Sequence, residues 1–239
     1  MIAVLVVLAL GQSSCPDSAA LITAAGERAA VLDLRGAAVT LAGDFSTCRE
    51  TAVAYWYLHG LVAARDAYRY GGSPESLEPV RLAIAQLASQ SPQTPASEVA
   101  RLVLMAASSA AQSERDEMAL ILEHALDLER QQRSAGLPGA PIVAASEAAG
   151  DLWLQVHRFE DARRAYLNAL EQVGATRRVM LGLARSAARL GDLAASCEQY
   201  RAFVRGWPRS ERELPELVEA RTFLQRRECR TGLPQPPRP

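Results

Sequence analysis

The sequence predicts an all-α protein built from stacked helical hairpins, and two observations carry this prediction. Residues 143–210 divide into two consecutive copies of one 34-residue unit, in which Phe159 aligns with Leu193 and Tyr166 with Tyr200. Alanine and leucine dominate the composition, while aromatic residues make up only 5% of the chain, which favours closely packed helices over sheet. A single hairpin of this size cannot bury its apolar faces alone, so such units stack into a solenoid.

An unbroken apolar run, Ile2–Leu10, lies at the start of the chain. Nine residues of helix rise about 13.5 Å, less than half a bilayer core, so the run is too short for an ordinary membrane span. It is typical of a secretory signal, with Ala9 and Gly11 as the small residues before a cleavage point. Residues 1–14 are therefore predicted to be a signal-like segment of an exported protein, periplasmic or secreted. The alternative is the start of a buried helix in a cytoplasmic protein.

Four cysteines allow two readings of the redox state. An exported protein can pair its cysteines in disulfides, and Cys15 is also the candidate for a lipid anchor, although the residues before it depart from a lipoprotein signal. For Cys197 and Cys229, a continuous last helix running antiparallel to its neighbour would leave the two residues about 13 Å too far apart for a disulfide. The sequence therefore predicts buried free thiols for that pair.

Residues 15–140 are predicted to form a degenerate region of helical hairpins. Ser73 and Thr94 each stand before a proline, the arrangement of an N-cap followed by proline at the first helical position. Glycines at 71 and 72 end the helix before Ser73. The predicted helices are one or two short ones within 19–42 and longer ones at 46–70, 74–89, 96–112 and 116–133.

A linker rich in proline and glycine, residues 134–141, precedes the two clear repeats and is interpreted as a loop inside one solenoid. Residues 141–230 contain the repeats and a capping helix. The last residues, 231–239, include four prolines and are predicted to be a disordered tail. The repeats are 143–176 and 177–210, and the predicted helices are 142–155, 159–173, 177–190, 193–205 and, as the cap, 213–229.

The 34-residue unit resembles the tetratricopeptide repeat. The first copy matches the family's small and large positions at Gly150, Trp153, Phe159, Ala162, Tyr166 and Ala169, and the second at Met180, Leu183, Ala184, Gly191, Leu193, Tyr200 and Pro208. It departs from the pattern at Ser146, Ala149, His157, Gly174, Ala187, Ser196 and Phe203. The resemblance implies a right-handed superhelix of helical hairpins in which the first helix of each repeat lines a concave groove.

The same resemblance places a set of candidate partner-binding residues in that groove: Glu147, Asp151, Leu154, Arg178, Leu181, Arg185 and Arg189. The three arginines are spaced i, i+7 and i+11, so they share one helix face. An arginine cluster in a groove holds carboxylates well, which favours an acidic peptide as ligand. The alternative hypothesis is that Glu147 and Asp151 on the neighbouring helix pair with these arginines within the chain.

The motif inventory and the charge of the chain limit the functional classes. The sequence lacks a glycine-rich phosphate loop, a metalloprotease motif and a nucleophile elbow, so no catalytic residue, metal site or cofactor is predicted. All 26 basic residues are arginine and the net charge is −1, which favours neither lysine chemistry nor nucleic acid. We expect a non-enzymatic adaptor of the bacterial cell envelope that binds another protein or peptide, with membrane attachment only through a lipid on Cys15. The alternatives are a structural subunit of an envelope or secretion assembly and a cytosolic accessory subunit of an enzyme complex.

Overall fold

The computed structural model describes residues 18–42, 48–91, 93–207 and 214–231, and within them every regular element is an α-helix. The predictions for Ile2–Leu10, Cys15 and residues 232–239 lie outside the described residues. The helices are α1 (Ser18–Ala30), α2 (Leu34–Leu41), α3 (Arg49–Arg69), α4 (Pro74–Ala88), α5 (Pro95–Ala111), α6 (Arg115–Ser134), α7 (Ala145–Gln155), α8 (Phe159–Val173), α9 (Arg177–Leu190), α10 (Leu193–Arg205), α11 (Pro215–Leu224) and α12 (Arg227–Thr231).

Capping side chains set the helix boundaries where the sequence predicted them. The Ser73 hydroxyl accepts a hydrogen bond from the Ser76 backbone N–H at 3.3 Å, which satisfies a free donor of the first turn of α4. At the start of α5, Thr94 and Ser97 form a reciprocal capping box, and each side chain accepts from the other's backbone N–H at 3.1 Å. Local chemistry thus starts these helices independently of tertiary packing.

Helices that follow one another along the chain pack against each other. Contacts join α3 with α4, α5 with α6, α7 with α8, and α9 with α10, and the first helix of each pair also contacts the first helix of the next pair, from α3 through α5 and α7 to α9. The interior is rich in alanine, which lets the helix axes approach closely. The prediction of an all-α chain whose helices pack neighbour on neighbour is confirmed.

The linker before the repeats is fixed to the body by a buried carboxylate. Glu129 of α6 is fully buried and accepts hydrogen bonds from the backbone N–H groups of Ala140, at 3.0 Å, and Ala145, at 3.1 Å. The Tyr57 hydroxyl of α3 donates to the carbonyl of Val143 at 3.1 Å. These bonds satisfy backbone groups that helices cannot pair, so the proline-rich segment is an ordered connection between α6 and α7.

The 34-residue period continues beyond the two predicted repeats. Helices α8, α10 and α12 begin at Phe159, Leu193 and Arg227, each 34 residues after the last, and α9 and α11 end at Leu190 and Leu224, also 34 apart. The prediction of one continuous helix over 213–229 is wrong, because two helices occupy this range. The chain turns between α11 and α12, and the two helices form a third, shorter unit.

That turn also corrects the predicted state of two cysteines. Cys197 of α10 and Cys229 of α12 form a disulfide with their Cα atoms 5.4 Å apart. The prediction of free thiols assumed one continuous helix, which would carry Cys229 past α10, whereas the turn before α12 brings it back. The Arg201 guanidinium of α10 also donates to the Cys229 carbonyl, so a covalent bond and a hydrogen bond hold α12 on α10.

A fully buried tyrosine fills a tight contact between helices of the repeats. The Tyr166 ring of α8 lies between Gly150 of α7 and Gly182 of α9. A Cβ atom at Gly150 would stand 2.5 Å from the ring, and one at Gly182 would stand 2.1 Å from it. The ring cannot move away from one added methyl group without meeting the opposite helix, so both positions require glycine.

We expect Gly182→Ala to lower the free energy of unfolding by about 1–3 kcal/mol, because overpacking a rigid, enclosed ring forces the helices apart. Gly26→Ala is the matched control, since its added Cβ meets no atom within 4 Å and alanine is the better helix former. Urea denaturation monitored by circular dichroism measures both variants. Equal stability of Gly182→Ala and the wild-type protein would show that the contact is not tight.

We expect the double substitution Cys197→Ala and Cys229→Ala to lower the free energy of unfolding by about 2–4 kcal/mol, because the disulfide closes a chain segment with a sequence separation of 32 residues. Hydrogen exchange should show the loss of protection concentrated in α11 and α12. Uniform loss of protection across all helices, or no loss at all, would contradict a local role of the disulfide in holding α12 on α10.

Candidate functional site

A cavity of about 320 Å³ lies on the face formed by the first helices of successive pairs. We call it the Asp151 pocket. Its walls are mostly apolar, and five of the seven residues predicted from the sequence line it. Those five are Asp151, Leu154, Arg178, Leu181 and Arg185; the other charged residues in its lining are Arg65 of α3 and Glu216 of α11.

A second cavity of about 550 Å³ continues from the first and is here called the Arg189 pocket. The two pockets share Leu154, Gln155 and Arg185, so together they form one groove along α7, α9 and α11. A sixth predicted residue, Arg189, lines this second pocket. Its other lining residues are His157, Phe159, Ala188, Tyr200, Glu219, Phe223 and Arg226.

The seventh predicted residue, Glu147, lies in neither pocket and is 6% exposed. Its carboxylate accepts a hydrogen bond from the Thr176 hydroxyl at 2.5 Å and another from the Ala144 backbone N–H at 3.3 Å. Both contacts lie at helix starts, so Glu147 joins the start of α7 to the start of α9. The structure thus places Glu147 outside both pockets, between these two helix starts.

Asp151 stands at the centre of a charged cluster that is complete within the chain. Its carboxylate accepts a hydrogen bond from the Tyr166 hydroxyl at 2.5 Å and forms an ion pair with Arg178. Burial, and then the charge of Asp151, raises the pKa of Tyr166 well above its usual value. Burial alone would lower the pKa of Arg178, but the charges of Asp151 and Glu147 raise it. For Arg178 the alternative hypothesis of pairing within the chain therefore holds.

A second cluster of the same composition lies one unit further along the chain. Both side-chain oxygens of Glu219 accept from Arg185, at 2.9 and 2.6 Å, and one also accepts from the Tyr200 hydroxyl at 2.7 Å. Burial alone would raise the pKa of Glu219, but the hydrogen bonds from Arg185 and Tyr200 and the charge of Arg185 hold it below its usual value. Arg185 is thus also paired, and with α11 instead of α7.

The repeat period places Glu219 in the groove. The prediction of one long helix over 213–229 did not use this period. Asp151, Arg185 and Glu219 are each 34 residues apart, as are the tyrosines Tyr166 and Tyr200. Once α11 is recognised as the first helix of a third unit, its residue at this repeat position belongs in the groove. Arg226, in contrast, lies in the turn before α12, and no repeat position predicts it.

Two arginines of the Arg189 pocket pack on aromatic rings. The guanidinium carbon of Arg189 lies over the Phe159 ring at 5.0 Å from its centroid, and that of Arg226 lies over the Phe223 ring at 4.2 Å. Neither guanidinium forms an ion pair with another described residue. These side chains are held in place by cation–π contacts while their N–H donors stay accessible.

The turn between α1 and α2 closes the Asp151 pocket on one side. Leu32 lines the pocket, and together with Val31 it packs against the apolar cluster that contains Leu181 of α9. Leu32 has a positive φ of 66°, a conformation that side chains of this kind rarely adopt. The N-terminal hairpin therefore reaches the repeats, a contact that repeat periodicity does not predict.

Comparison with known proteins finds no matching family model, no similar curated protein and no similar solved structure. Among the described helices, none is both long and apolar enough to cross a membrane. The described residues also contain no cluster of histidine, cysteine and carboxylate side chains suited to a metal ion.

We expect the stability of the protein to fall on acidification through loss of the Glu219 interactions. The folded pKa of Glu219 lies below its unfolded value of about 4.3. Its ionised form therefore stabilises the fold above that unfolded value, and the contribution is lost as the pH falls through the lower folded pKa. Urea unfolding at a series of pH values should show this decline, and Glu219→Gln should reduce both the stability at neutral pH and the acid slope.

Glu198→Gln is the matched control, because Glu198 is an exposed carboxylate of α10 without an ion pair to another described residue. It should leave the stability at neutral pH nearly unchanged. An unaltered acid slope in Glu219→Gln would assign the pH dependence to other carboxylates.

Proposed function

We propose that this protein is a non-enzymatic adaptor that binds a segment of a partner protein in the groove formed by the Asp151 and Arg189 pockets. One observation carries the proposal: residues at equivalent positions of α7, α9 and α11 converge on one continuous groove. Stacked hairpins with such a surface typically bind extended segments or helices of other proteins. The tetratricopeptide-type repeat and the right-handed superhelix that it implies belong to this proposal.

The dimensions and lining of the groove support a peptide as ligand. The Asp151 pocket, about 320 Å³, is at the lower end of the range of about 300–1,000 Å³ for ligand sites and suits one or two apolar side chains. Leu154 lines both pockets and is only partly buried, so it offers an apolar contact midway along the groove. A segment lying across Leu154 would contact both pockets at once.

Export to the bacterial envelope is part of the proposal. The disulfide between Cys197 and Cys229 is compatible with an oxidising compartment, where such bonds persist. The apolar run Ile2–Leu10 supports the same location on sequence grounds. A groove-binding adaptor differs from a structural envelope subunit in one testable respect, because only the adaptor depends on the groove for its partner.

We expect selection of a random peptide display library against the full-length protein to enrich peptides that lose binding to Leu154→Gln. The apolar contact of one leucine contributes about 1.5–3 kcal/mol, so the loss should be roughly 10- to 100-fold. Leu167→Gln is the matched control, since Leu167 is 44% exposed on α8 and lines neither pocket. Peptides that bind Leu154→Gln and wild type equally, or no enriched peptides at all, would contradict a peptide-binding groove.

A further inference from the structure

The two pockets of the groove differ in the charges that remain unpaired in their linings. Five arginines and three carboxylates line the groove in total. The ion pairs Asp151–Arg178 and Arg185–Glu219 neutralise four of these eight groups within the chain. The other four groups, Arg65, Glu216, Arg189 and Arg226, form no ion pair with another residue that the structure describes.

In the Arg189 pocket the unpaired groups are all cationic. Glu219 is the only carboxylate in the described lining of this pocket, and Arg185 and Tyr200 occupy its oxygens. Arg189 and Arg226 have no counterion there. In the Asp151 pocket, by contrast, one unpaired cation, Arg65, stands with one unpaired anion, Glu216. The excess positive charge of the groove is therefore concentrated at one end.

The aromatic contacts prepare the two guanidiniums for an anion. Phe159 and Phe223 lie under Arg189 and Arg226 and also line the pocket, so each ring fixes its arginine beside the cavity. Contact with a ring removes part of the water around a guanidinium and leaves N–H donors that match a carboxylate bidentately. The rings restrict these long side chains in the free protein, so binding a ligand costs less side-chain entropy.

We propose that the Arg189 pocket is an anion subsite that holds aspartate or glutamate side chains of the bound segment through Arg189 and Arg226. The inference rests on the proposed function of the groove and adds the class of partner: an acidic segment that also carries an apolar residue. The acidic side chains lie over the Arg189 pocket, and the apolar residue enters the largely apolar Asp151 pocket beyond Leu154. The net charge of −1 for the whole chain favours this local recognition over general attraction to polyanions.

The test uses the full-length protein and a fluorescein-labelled, C-terminally amidated peptide of alternating leucine and glutamate, with a glutamine version as the neutral probe. Fluorescence anisotropy should show that the acidic peptide binds roughly 10- to 100-fold more tightly than the neutral one, as expected for charge-assisted hydrogen bonds. Arg189→Gln combined with Arg226→Gln should remove that preference. Arg189→Lys combined with Arg226→Lys keeps the charges without the bidentate geometry and should retain part of it.

Arg130→Gln combined with Arg164→Gln is the matched control, because it removes the same charge from two exposed side chains that line neither pocket. Binding of the acidic peptide should stay within about twofold of wild type in this control at physiological ionic strength, where distant surface charges are screened. An equal loss in both double variants would overturn the subsite, because it would mean that only overall charge matters. Melting curves establish that each variant is folded.

The outcomes separate this inference from the groove function itself. Display peptides that depend on Leu154 but bind Arg189→Gln/Arg226→Gln as tightly as wild type would overturn the anion subsite and leave the groove function standing. Absence of both display peptides and acidic-peptide binding would overturn both. Preference for the acidic peptide that disappears in the glutamine double variant supports the subsite directly.

Discussion

The packing of the Tyr166 ring between Gly150 and Gly182 is the contact on which the repeat region depends. It fixes how closely α7, α8 and α9 approach, because a Cβ atom at either glycine would overlap the ring. The Tyr166 hydroxyl also donates a hydrogen bond to Asp151, which in turn pairs with Arg178. One side chain therefore sets the helix spacing and orders the charged wall of the groove.

The period of 34 residues repeats this arrangement with altered charges. At one repeat position the chain has Asp151, Arg185 and Glu219, so successive first helices present acid, base and acid. Asp151 and Glu219 each accept a hydrogen bond from a tyrosine hydroxyl and pair with an arginine of α9, Asp151 with Arg178 and Glu219 with Arg185. At this position Arg185 and Glu219 pair with each other and join α9 to α11, whereas Asp151 pairs with Arg178, seven residues before Arg185 on α9.

The sequence predicted much of this architecture, and its errors have physical causes. The sequence predicts the helix caps at Ser73 and Thr94 because capping depends on neighbouring residues. It also shows the 34-residue spacing of the two repeats. No local pattern predicts the break before α12, which falls 34 residues after the start of α10 and brings Cys229 to Cys197. Six of the seven candidate groove residues line the pockets, whereas Glu147 lies outside both, because repeat position alone does not say whether a carboxylate meets solvent or a backbone N–H.

The third unit links the covalent structure to the electrostatics of the groove. Helix α11 provides Glu219, which neutralises Arg185, and the following turn provides Arg226, which stays unpaired among the described residues. The disulfide that holds α12 on α10 lies three residues after Arg226, so it restrains the segment that carries this cation. Displacing α11 and α12 would expose the charge of Arg185 and remove that of Arg226 from the pocket. The position of the positive charge along the groove therefore depends on the docking of α11 and α12, which apolar packing and the Cys197–Cys229 disulfide hold in place.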